Sequence, residues 1–162
     1  MTTNSLILIK HMKLNILTLI LFLIMMPMTS NAQNGLISIK SQHSVTQTAD
    51  RFEQLINDKG LTFFARINHT ENAKSAKLEL RPTQVILFGN PVAGTALMNC
   101  GQTIAIDLPQ KALFWEDNEG TSWVSYNDPH YLKDRHSLQG CEPVIEKVSG
   151  LLSAVAISAA SE

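Results

Sequence analysis

What this sequence lacks narrows the field before anything in it is read. It has two cysteines, Cys100 and Cys141, whose wide separation excludes a CxxC redox centre. It has no basic run, so it offers no electrostatic footprint for nucleic acid. Neither GxSxG nor HExxH occurs, which removes the nucleophile elbow of the α/β-hydrolases and the helical zinc site of the metalloproteases. Beyond residue 32 no stretch is apolar over the ~20 residues that a membrane span takes. Aromatic residues are few, at 6%.

The first residues have a different character. Lys10 and Lys13 precede an apolar run over residues 14–28, Pro27 and Thr29 close it, and Ser30-Asn31-Ala32 puts small residues at both cleavage-recognition positions. This is the pattern of a secretory signal peptide over residues 1–32, cut after Ala32. The run is short for a membrane anchor. Met12-Lys13 would also serve as a start. No cysteine lies near the cut, so lipid attachment there is not expected.

The expected mature chain, residues 33–162, is one domain with enough length for a core. Loss of the two lysines takes its formal charge from −1 to −3. The chain is expected to be periplasmic or secreted, where a cysteine pair tends to oxidise. Cys100 and Cys141 are expected to form a disulfide, worth ~4 kcal/mol in the chain-entropy picture. Two buried thiols that never meet are the alternative.

Along the chain, residues 36–40 alternate as a strand. Ser44 and Gln47 form a capping box ahead of Val45, Ala49, Phe52, Leu55 and Ile56, which recur at helical spacing until Lys59-Gly60 stops them. Residues 61–68 read as a strand with Leu61, Phe63, Ala65 and Ile67 on a core face. Thr62, Phe64, Arg66 and Asn68 lie on a mixed one, where Phe64 beside Arg66 can line a cavity or lie under another element. A short helical piece follows around residues 73–77. His43 and His69 read as solvated loop residues.

Residues 80–100, LRPTQVILFGNPVAGTALMNC, hold the most apolar strand, at 85–88. An unbroken run of this kind suits a strand buried on both faces. Asn90 is placed to cap a following helix and Pro91 to begin it. Gly89 and Gly94 with Thr95 have the skeleton of a phosphate loop, but Thr95 stands where the lysine belongs and Pro91 lacks an N–H. The spacing therefore reads as close packing of a helix on a sheet, with a polar ligand at the helix start as the second reading.

Residues 103–108 read as extended, and 111–117 and 121–127 as a hairpin turning at Asp117-Asn118-Glu119-Gly120. Trp115 and Trp123 then share one face and pair across strands. Asp128-Pro129 opens a short helix, and His136 near its end complements the dipole and reads as a surface cap. Pro143 opens the last helix, where Val144, Val148, Leu151, Leu152 and Val155 form an apolar stripe. The Ala/Ser tail after Ile157 is expected to fray.

Four segments, GLTFFARINH, LELRPTQVILFGNPVAGTALM, IAIDLPQKALFWEDNEG and WVSYNDPHYLKDRH, taken in order over residues 60–136, closely resemble domain-of-unknown-function family 302. The resemblance implies an α+β domain with a curved antiparallel sheet of about five strands, with helices packed on it and a long C-terminal helix, of the TATA-binding-protein-like kind. It also implies a homodimer, and it brings no catalytic residues. The residues around Cys100 and Cys141 look atypical for that family.

Three functions compete. The first is a non-catalytic exported module binding a small ligand or a protein, with Asn90, Gly94, Thr95, Tyr126, Asn127 and Arg135 as the candidate ligand residues. The second is an acid-base hydrolase using Glu116, Asp128 or His136, which fails if His136 lies more than ~6 Å from every carboxylate and hydroxyl, given the ~3 Å contact base catalysis needs. The third is a metal-handling protein using His130, Asp134 or Glu116. His130 and His136 are six apart, unlike the spacing of about four in a two-histidine helical site. The first reading is preferred, with no cofactor, no metal, no nucleic acid and no membrane span after cleavage.

Overall fold

In a computed structural model of the chain, residues 35–161 are described. The signal peptide expected over residues 1–32 lies outside them. Five strands, β1 (Leu36–Lys40), β2 (Thr62–Asn68), β3 (Thr83–Gly89), β4 (Gln110–Glu116) and β5 (Ser122–Asn127), form one sheet in the order β1-β5-β4-β3-β2. Every neighbouring pair is antiparallel. The helices are α1 (Val45–Asp58), α2 (His69–Ser75), α3 (Pro91–Cys100), α4 (Pro129–Arg135) and α5 (Glu142–Ala160). The fold is therefore α+β, with the expected five-stranded antiparallel sheet and long C-terminal helix.

Local chemistry explains where the helices begin. Ser44 and Gln47 close the capping box of α1. The Asn90 side chain accepts from Val92 and Ala93 N–H ahead of Pro91, and Asp128 accepts from His130 N–H ahead of Pro129. α1 ends at Gly60, whose φ of +68° suits glycine, and Gly120 turns the β4–β5 hairpin at φ +76°.

The main core lies between the sheet and the pair α1 and α5. Phe52 of α1 contacts Phe88 and Phe114 edge-on, with centroids 5.1 and 5.2 Å apart. Ile86, Ala112, Val124 and Tyr126 line the same sheet face, and Val148, Leu152, Val155 and Ala156 come from α5. A second, smaller core gathers Leu97, Ile104, Leu132, Leu138, Cys141 and Ile145 where α3, α4 and the start of α5 meet. Cys100 and Cys141 stand at disulfide distance there, with Cα atoms 6.3 Å apart, joining the end of α3 to the cap of α5.

Several sequence expectations are corrected. β3 is buried on one face only: Gln84, Ile86 and Phe88 are buried, while Thr83, Val85, Leu87 and Gly89 are half-buried. The central strand is β4. In β2 the assigned faces are wrong beyond a register shift between Phe63 and Ala65. A bulge inserts one residue and breaks the alternation. Arg66 consequently sits opposite Ile86 on the helix face, where it meets Asp50 and Glu53 of α1 and Gln84. Ala65 and Ile67 pair with Leu87 and Val85 on the other face.

Residues 102–106 form a 3-10 helix, not a strand. Every strand needs a partner for its backbone groups, and this run has none in the sheet. Ile104 is instead buried in the second core. The piece expected at 73–77 is α2, which starts at His69. The tail after Ile157 stays helical because Arg51 donates to the carbonyls of Ser158, Ala159 and Ser161. His43 has a partner, the Ser161 carbonyl at 2.9 Å.

Candidate functional site

A cavity of about 370 Å³ opens where β3 hands over to α3. Gly89, Asn90, Pro91, Gly94 and Thr95 form one side of it, from the strand end through the first turns of α3. Its deep wall is Phe88, Leu97 and Leu152, each 2% exposed. The 3-10 segment and its exit add Ala105, Leu108, Pro109 and Gln110, and α5 adds Val148 and Leu151. Phe64 also lines the opening, and at 52% it is among the more exposed large apolar side chains.

No lining residue carries an ionisable side chain. The three polar side chains belong to Asn90, Thr95 and Gln110; Asn90 and Thr95 are exposed and Gln110 half-buried. Asn90 uses its side-chain oxygen to cap α3, which leaves its amide NH₂ to donate. Gly94 is not at a left-handed position, and a Cβ there would meet the Leu108 side chain at 3.9 Å. Its bareness therefore keeps space open beside Leu108.

The six candidate ligand residues divide. Asn90, Gly94 and Thr95 line the cavity, and Tyr126, Asn127 and Arg135 do not. Tyr126 points into the main core, where burial pushes its hydroxyl above its ordinary value, the Ser153 hydrogen bond working against this. Arg135 is exposed and reaches Asp107 at 3.5 Å. Phe64, expected to line a cavity or lie under another element, lines this one, but the face it was expected to share with Arg66 is broken by the bulge in β2. Leu97, Leu108 and Leu152 carried no signal in sequence beyond being apolar.

A second cluster forms along the 3-10 segment, at Thr103 and at its C-terminal cap Asp107. His136 Nε2 stands 2.6 Å from Asp107 Oδ2, and its Nδ1 stands 3.1 Å from Thr103 Oγ1. The His136 and Asp107 side chains are 7% and 13% exposed. His136 is thus not the surface cap that its place at the end of α4 suggested. It meets a carboxylate and a hydroxyl within the limit set for an acid-base centre. Lys111 donates to the Asp107 and Pro109 carbonyls, and burial lowers its pKa while the charge of Asp107 works the other way.

The other acid-base candidates stand apart from that cluster. Asp128 is occupied in capping α4, and Glu116 ends β4, where its carbonyl accepts from Arg81. His130 lies 3.7 Å from Glu146. Among the described residues no three His, Cys, Asp or Glu side chains converge as metal ligands would.

The opposite sheet face forms a third feature. Trp115 and Trp123 stack there with centroids 6.2 Å apart. Trp115 Nε1 donates to Ser125 Oγ, and Trp123 Nε1 to Asp117 Oδ2. Leu113 and Val85 pair in the next row, and Ile67 is 37% exposed.

The fold and site define a small α+β domain in which an antiparallel sheet and its helices enclose an apolar cavity. The match to known proteins agrees: residues 37–155 correspond to the domain of unknown function DUF302, and the chain belongs to that family. The crystal structure of an uncharacterized conserved DUF302 protein from Bacillus stearothermophilus superposes with a TM-score of 0.70 at 16% identity, covering 78% of this chain and 98% of that one.

The chain is also 44% identical over 133 residues to the fluoride-specific ion channel FluC 1 of Brucella suis, covering 82% of this chain and 48% of that protein. FluC 2 of Brucella melitensis matches at the same identity, with 45% of its length covered. The chain spans about half the length of the curated relatives it matches.

Proposed function

We propose that this protein is a non-catalytic, exported module that binds a small ligand in the cavity at the β3–α3 junction. The observation that carries the reading is the cavity itself. A concave, largely apolar site with a few polar groups at its rim is the usual form of a small-molecule site. Export rests on the signal-peptide pattern of residues 1–32. Thermal melting of the purified protein against a metabolite panel tests binding. Shifts that vanish when Gly94→Leu fills the cavity support it, and a flat panel sinks it. Fractionation of cells, with the N-terminus read by mass spectrometry, tests export and cleavage after Ala32.

The fluoride specificity named for the longer relatives is not carried over. Contrary to the expectation from the sequence, one helix among the described residues, α5, is long and apolar enough by length and composition to cross a membrane, but it packs its apolar side into the core. We read the shared half as a module separate from the channel activity. A liposome fluoride-efflux assay on this chain alone should show no flux.

Two further readings have an observation behind them. The half-buried apolar sheet face around Trp115, Trp123, Leu113 and Val85 supports a homodimer, because a second copy can cover it. Sedimentation equilibrium of wild type and Trp123→Glu decides this; a wild-type monomer removes it. The Thr103–His136–Asp107 chain supports an acid-base hydrolase as the alternative function, since a hydroxyl, an imidazole and a carboxylate stand in hydrogen-bonded sequence. Labelling with a fluorophosphonate, followed by peptide mapping, should modify Thr103 if this is so. Absence of label on folded protein rules the nucleophile out.

A further inference from the structure

Resting on the reading of the β3–α3 cavity as a binding site, we infer that its ligand is an uncharged, mainly apolar molecule of about a dozen heavy atoms, with one hydrogen-bonding group at its outer end. Three observations lead there. None of the lining side chains is ionisable. An ion drawn inside would lose its hydration without a partner, and a buried unpaired charge is strongly disfavoured. The cavity therefore selects against carboxylates, phosphates and ammonium groups within it, including the small anion that a helix N-terminus would otherwise attract.

The size follows from the volume. A cavity of about 370 Å³ holds roughly twelve water-sized groups at ~30 Å³ each. The part of a ligand held inside is therefore a medium-length alkyl chain or a two-ring aromatic; the space is too small to enclose a nucleotide or a multi-ring lipid. The polarity is graded along the depth. Phe88, Leu97 and Leu152 make a dry floor, while Asn90 and Thr95 stand exposed at the rim. The free amide NH₂ of Asn90 is placed to meet a hydroxyl or carbonyl, so a single polar group belongs at the mouth and the apolar body inside.

The wall positions make the inference testable in one assay. The uncharged two-ring fluorophore 1-aminonaphthalene is bound to the full-length protein and displaced by competitors. The arms are 1-alkanols from six to twelve carbons, 2-naphthol, and the carboxylates and alkylammonium ions of matching length. The alkanols or 2-naphthol should displace the probe at least tenfold more strongly than the charged analogues. Whichever of the two does so identifies chain or ring as the apolar body.

Gly94→Leu should weaken probe binding at least tenfold while leaving the melting temperature unchanged or raised, since leucine suits a helix better than glycine. Met98→Ala enlarges the cavity and should move the best alkanol to a longer chain, a shift that loss of folding cannot imitate. Equal or better binding of the charged analogues overturns the ligand class. So does Gly94-dependent binding confined to polar metabolites, which would leave the cavity as the site. Binding of nothing at all removes the site reading itself.

Discussion

Nε2 of His136 lies 2.6 Å from Oδ2 of Asp107, and this contact ties the end of α4 to the 3-10 segment that walls the cavity. The two residues are 29 apart in sequence, and Thr103 completes the clasp from the other ring nitrogen. Both side chains are largely out of water, so each needs the other.

His136→Ala should therefore destabilise the fold by about 1.5–3 kcal/mol, the range for a hydrogen bond to a charged group. Thr103→Ala, at an exposed position, should cost less than about 1 kcal/mol. Urea denaturation of the two variants checks the order. Equal effects would mean that the hydroxyl, and not the carboxylate, anchors the ring.

The Cys100–Cys141 link closes a loop with a sequence separation of 41. The Cys100→Ser, Cys141→Ser double variant should lose ~4 kcal/mol on the chain-entropy account. Guanidinium denaturation of oxidised wild type against the variant measures it. Unchanged midpoints would show that the cysteines do not pair in the isolated protein.

Phe52 is 1% exposed and packs edge-on to two other rings. Truncation to alanine should cost about 3–5 kcal/mol through lost burial and the cavity left behind. By contrast, Phe64→Ala, at 52% exposure, should leave stability within ~1 kcal/mol and act on ligand binding instead. Parallel melting and probe-binding curves separate the two effects.

The Asp117 carboxylate accepts from Trp123 Nε1, and this bond first, with those to Thr121 and Glu119 N–H, holds its pKa below the ordinary 3.8. A depressed carboxyl favours the folded state above its unfolded value, and that contribution disappears as pH falls through the lower, folded value. In a Trp115→Phe background, the Trp123 fluorescence titration should have its midpoint below 3.8. Asp117→Asn should abolish the step, and a midpoint at or above the ordinary value refutes the assignment.

The sequence by itself determined what neighbouring residues decide. Ser44 with Gln47, Asn90-Pro91 and Asp128-Pro129 place helix starts because a cap acts over two or three residues. Gly60 and Gly120 place stops and turns for the same reason. The stripe of α5 and the Trp115–Trp123 pairing follow from the periods of 3.6 and 2. The path of elements and the family resemblance were legible on this basis, and so was one side of the cavity, from Asn90 to Thr95.

Only the tertiary structure decided what depends on partners far along the chain. The bulge in β2 sends Arg66 inward to Asp50 and Glu53. Residues 102–106 coil because the sheet gives them no partner strand, and the tail of α5 holds because Arg51 reaches its carbonyls. Tyr126 and Arg135 leave the expected site, the first to the core and the second to Asp107. His136 finds Asp107 because the second core brings α4 against the 3-10 segment. Each of these results depends on contacts between distant segments, and residue spacing carries no information about them.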